Sequence, residues 1–69
     1  MSAALRARIV AAVDAVADAD GLATRAAIAR HLRPHLQADE LKRVKKALAR
    51  AVQLNELEAC GQDRFAIAR

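Results

Sequence analysis

The run TRAAIARHLRPHLQADELKRVKKALARAV, residues 24–52, reads as two consecutive helices separated by a proline, and it holds nearly all of the chain's excess positive charge. Thr24 stands where an N-cap would, its hydroxyl able to accept from the amides of the next turn. From Arg25 a helix is expected to run to about Leu32 with Ile28 and Leu32 inward. Pro34 should end it there, because it disfavours helical geometry at Arg33 and removes a backbone donor. A third helix is expected to start around Asp39. Asp39 and Glu40 place negative charge at the positive end of its macrodipole, an arrangement worth about 0.3–1 kcal/mol for each. At about 100° per residue, Leu41, Val44, Leu48, Ala51, Val52 and Asn55 share one side of this helix. Arg43, Lys46 and Arg50 lie nearly opposite, Lys42 is lateral and Lys45 borders the apolar stripe. One rod, buried on one side and cationic on the other, is the expectation.

Upstream, Leu5, Ile9, Val13 and Val16 fall on one stripe of a helix from about Ala3 to Ala17, with Ser2 available as its cap. Asp18-Ala19-Asp20-Gly21 supplies turn formers, and Gly21 suits a left-handed conformation. Leu22-Ala23 has room only for a scrap of strand. Downstream, Asn55 is a plausible left-handed terminator. Leu57 and Ala59 then alternate with Glu58 and Cys60, and Phe65 and Ile67 alternate with Arg64, Ala66 and Ala68. Gly61-Gln62-Asp63 between these two runs provides the turn of a short hairpin. The order helix, tiny strand, helix, helix, hairpin predicts an α+β, mainly helical fold. It describes a winged helix over residues 1–69, a three-helix bundle closed by a C-terminal two-stranded β-hairpin and a relative of the helix-turn-helix.

The charge is localised. Residues 25–50 hold eight Lys and Arg against Asp39 and Glu40, a net of +6, while the segments on either side are each −1, giving the +4 of the whole. Such a distribution points to a surface that meets a polyanion. With 69 residues the chain has room for one small core, and a good part of its 55% hydrophobic content is Ala. A deep catalytic cleft is therefore not expected, and Asp18 and Asp20 sit in a turn with no nucleophile to serve. Charges interrupt every apolar run well short of the roughly 20 residues of a membrane helix. Arg6, Arg8 and Asp14 break what would be the core of a secretory signal, so an intracellular setting is expected. Cys60 is the sole cysteine, which excludes an internal disulfide and a thiolate cage, and it reads as a small, partly buried strand residue. His31 and His35 have the spacing of a helical metal pair, but Pro34 interrupts them and no third ligand lies nearby. No cofactor, metal or small-molecule substrate is expected.

Ile9 through Val16, Gly21-x-x-Thr24-Arg25-x-Ala27-Ile28, Lys45-x-Ala47-Leu48-x-Arg50-x-Val52 and Glu56-Leu57 with Arg64-Phe65-x-Ile67 together resemble the globular domain of linker histones. The likeness runs from Leu5 to Ile67. It implies that Lys45 and Arg50 on the third helix and Arg30 on the second contact phosphates, with Arg25 at a commonly basic site. The chain departs from the family at several places. Asp18 and Asp20 stand where basic residues are usual, Ala49 and Ala66 each replace one, and Gly61-Gln62-Asp63 shortens a longer Lys- and Gly-containing wing.

Arg25, Arg30, Lys42, Arg43, Lys45, Lys46, Arg50 and Arg64 are thus the expected contacts to double-stranded DNA, in an architectural, chromosome-associated role in a nucleoid or nucleus. Backbone contact is expected over base reading, because the cationic face of the third helix offers no Asn or Gln among its basic residues. Phe65, the one aromatic residue, suits a core plug better than a stacking platform, which favours duplex over single strands. Other readings of the same residues are a solvated basic helix face, a sequence-specific transcription regulator, and a protein interaction or self-association module. For the last, an exposed Leu54 beside Val10 would be the apolar contact.

Overall fold

The computed structural model describes residues 3–68. Its first helix, α1 (Ala3–Val16), buries Leu5, Ile9, Ala12 and Val13 on one side, as the four-and-three spacing of the apolar residues requires. The cap expected at Ser2 lies outside the described residues. Asp18 organises the turn that follows. Its Oδ1 accepts from the amides of Asp20 at 2.9 Å and Leu22 at 3.0 Å, and Gly21 adopts φ +78°, a conformation that costs glycine nothing.

Strand β1 (Ala23–Thr24) leads directly into α2 (Arg25–Leu32), with Thr24 Oγ1 accepting the Ala27 amide at 3.1 Å. This N-cap satisfies one of the amides that the first helical turn leaves unpaired. Thr24→Ala should therefore cost about 1 kcal/mol and lower the melting temperature by about 4–8 °C, a shift that thermal circular dichroism would read. Pro34 does end α2, and Arg33–His35 form one turn of 3-10 helix in which the missing proline amide has no partner to lose. Leu36, extended and buried, returns the chain to the core.

The single third helix expected from about Asp39 is in fact two, α3 (Ala38–Lys42) and α4 (Val44–Gln53). Glu40 helps start α3, its Oε1 accepting the Gln37 amide at 3.0 Å. The break falls at Arg43, at φ −92° and ψ −6°, whose amide bonds to the Glu40 carbonyl at 3.0 Å, three residues back instead of four. No glycine or proline marks it. A one-residue tightening leaves the side-chain periodicity almost unchanged, so the apolar stripe reads straight across the joint. Asn55, at φ +60°, terminates α4. The Glu56 amide reaches the Ala51 carbonyl at 2.9 Å and the Asn55 amide reaches that of Val52 at 3.1 Å, the paired bonds of a left-handed helix end.

Strands β2 (Leu57–Ala59) and β3 (Arg64–Ile67) form the expected hairpin. The sheet has three antiparallel strands in the order β1-β3-β2, because β3 also pairs with the two residues of β1. Phe65 lies opposite Ala23 on one side and Ala59 on the other, small neighbours that leave space for its ring. Ile9, Val13, Ile28, Leu48 and Leu57 are fully buried at the meeting of α1, α2, α4 and the sheet. Arg6 Nε, 3.0 Å from Glu56 Oε1, ties α1 to the segment preceding β2. The molecule is a mainly helical α+β domain with a small antiparallel sheet.

Candidate nucleic-acid interface

Helix α4 is strongly two-sided. Val44, Ala47, Leu48 and Ala51 are buried, whereas Lys45, Lys46, Ala49, Arg50 and Gln53 are exposed. At ten residues it is about 15 Å long, comparable with the roughly 12 Å width of a DNA major groove. Lys46 and Arg50 sit at the pole opposite the core. Lys45 and Ala49 occupy the flank toward the hairpin, where they border a cleft with Leu48, Val52, Ala59 and Phe65. Lys42 ends α3 and Arg43 is the joint, both exposed.

None of these five cations is in an ion pair with another described residue. The ion pairs among the described residues are Arg6 with Glu56 and Arg25 with Asp63, so Lys42, Arg43, Lys45, Lys46 and Arg50 have no carboxylate partner. Five such charges within nine residues make this stretch of the surface strongly electropositive. Their mutual repulsion also opposes any compact state that would bury them.

The other expected contacts are placed differently. Arg25 is half-buried at the start of α2, with its Nη2 3.5 Å from Asp63 Oδ2. Arg30 is exposed on α2 and has no ion pair among the described residues. Arg64 is exposed on β3 opposite Thr24, and strand alternation puts it on the sheet face away from Phe65. Its neighbour two residues on, Ala66, borders a hollow with Asp14 and Asp20. The fold therefore gathers residues 42–50 and separates Arg64 from them.

One polar residue of this face was missed in the sequence. Gln53 is exposed one turn beyond Ala49, and its Oε1 accepts from Arg50 Nη1 at 3.3 Å. The expectation that the cationic face lacks Asn or Gln is thus corrected. Carrying the 100° count one turn past Arg50 would have found it. The contact also limits the rotamers of the Arg50 guanidinium, which still has donors facing solvent.

Elsewhere, Phe65 is half-buried against the core, as its alternation with Ile67 indicated. Leu54 is 40% exposed, while Val10 is half-buried against the core. His31 and His35 are exposed with ring centroids 6.4 Å apart. No helix among the described residues is long and apolar enough to cross a membrane. No family model, curated protein or solved structure matches this chain.

Proposed function

We propose that this protein is a winged-helix DNA-binding protein that grips the phosphates of duplex DNA with α4 and the α3–α4 joint. The role is architectural, with little sequence preference, and similar to that of a linker histone globular domain in organising a chromosome. The observation behind the reading is the exposed, unpaired set Lys42, Arg43, Lys45, Lys46 and Arg50 on a segment whose opposite side is core. The element order and the strand order β1-β3-β2 support it, since a short strand, two helices, the jointed pair α3–α4 in the place of a third helix, and a closing hairpin match the parts of a winged helix.

Titration of a labelled random-sequence duplex at several salt concentrations tests the reading. Each phosphate neutralised by Lys or Arg releases counterions, so log K should fall linearly with log salt with a slope of about −0.9 per contact, or about −4 to −5 for five contacts. Binding that ignores salt, or no binding at low salt, would remove DNA as the partner. The second reading rests on Leu54, whose 40% exposure fits self-association or a protein contact. Light scattering that grows with protein concentration in the absence of DNA would favour it.

A further inference from the structure

The hairpin tip is acidic and lies against one of the cations. Asp63 adopts φ +53°, its backbone carbonyl accepts the Arg25 amide at 2.8 Å, and its Oδ2 lies 3.5 Å from Arg25 Nη2. Residues 61–63 are thereby pinned to the first turn of α2. Asp63 also borders both clefts that Lys45 lines. One is floored by Ala26, Ala29 and Val44, the other by Leu48, Ala49 and Val52. In each cleft Asp63 is the single acid, and Arg25 and Lys45 are the two cations.

We propose that Asp63 is an intramolecular competitor of the DNA phosphate for Arg25. This rests on the DNA-binding reading above and adds a device that sets its strength. In the free protein the carboxylate holds the guanidinium. When a duplex lies along α4 and engages Lys45, a phosphodiester in the same cleft takes the guanidinium and Asp63 swings out to solvent. The exchange is feasible because the pair is weak, with Arg25 39% and Asp63 63% exposed. It is also incomplete, since the backbone bond to the Arg25 amide keeps the aspartate's charge near the cleft. Affinity is accordingly lower, and the salt dependence shallower, than the cations around the cleft would otherwise produce.

Asp63→Asn removes the charge, preserves the size, and suits the left-handed backbone that asparagine tolerates. Asp63→Gly removes the side chain at the same φ and serves as the second variant. Both should bind random duplex about three- to tenfold more tightly than the parent at low salt, with the slope of log K against log salt steeper by up to about 1, the limit in which Asp63 keeps Arg25 from phosphate altogether in the parent. Glu58→Gln makes the same change in net charge on β2, where Glu58 has no ion pair among the described residues, and should raise affinity by less than Asp63→Asn does. Adding Arg25→Gln to Asp63→Asn should abolish the gain, as coupled residues require. A gain no larger than that of Glu58→Gln, or one that survives Arg25→Gln, would overturn the competitor role while leaving DNA binding intact. A parent protein that binds no duplex at low salt would remove both.

Discussion

Lys45→Glu combined with Arg50→Glu should weaken binding to random duplex by at least about 100-fold at low salt and leave the circular dichroism spectrum unchanged. Both side chains are exposed, Lys45 on the flank of α4 toward the hairpin and Arg50 toward the pole opposite the core, and neither contributes to the core. The substitutions remove two phosphate contacts and add two charges that repel the backbone, so the remaining salt slope should be shallower by about 2. Glutamate is a good helix former, which keeps α4 intact. The measurement is a fluorescence-anisotropy titration of parent and variant at matched ionic strength. Equal affinities would take these residues out of the interface. A large loss for Arg50→Glu alone, with none for Lys45→Glu, would confine contact to the pole shared with Lys46 and Gln53.

Leu48→Ala should have the largest effect on stability. Leu48 is 1% exposed, on the side of α4 that faces the core. Truncating a buried leucine costs about 2–5 kcal/mol through lost transfer energy and the cavity left behind. At about 0.05–0.15 kcal/mol per residue, the whole domain has only about 3–10 kcal/mol to lose. Urea titration should therefore show a midpoint lowered by about half or more, with part of the population unfolded at 25 °C. The core has little capacity to refill the space, because Ala12, Ala23, Ala47 and Ala51 make up much of its remainder. A midpoint within experimental error of the parent would mean that Leu48 does not bridge the helices and the sheet.

Much of the local structure was readable from single residues. Thr24, Gly21, Pro34 and Asn55 each act within a few positions through a cap, a left-handed turn, a lost amide or a helix end, and each does what its chemistry suggested. The hairpin around residues 61–63 was readable for the same reason. The break at Arg43 was not, because nothing in its side chain or neighbours disrupts a helix and the shift in bonding spares the periodicity. Gln53 was not legible either, because it lies past the last cation of α4 and, being neutral, adds nothing to the charge pattern that marks this face.

For the candidate interface the division is sharper. The order of residues along the chain was enough to put Lys46 and Arg50 opposite the apolar stripe, since helical geometry is local and needs no partner. It was also enough to concentrate the positive charge between residues 25 and 50. Which cations remain unpaired depended on contacts across long separations. Arg25 meets Asp63 because the hairpin folds back onto α2, 38 positions away along the chain. Arg64 faces away from α4 because β3 presents Phe65 to the core and so must turn its neighbour outward. Likewise the two residues of β1 become a strand only because β3 supplies the hydrogen bonds that so short a segment could not make alone. Ion pairing and strand pairing both require a distant group to be brought within a few ångströms, and that proximity comes from burying one core.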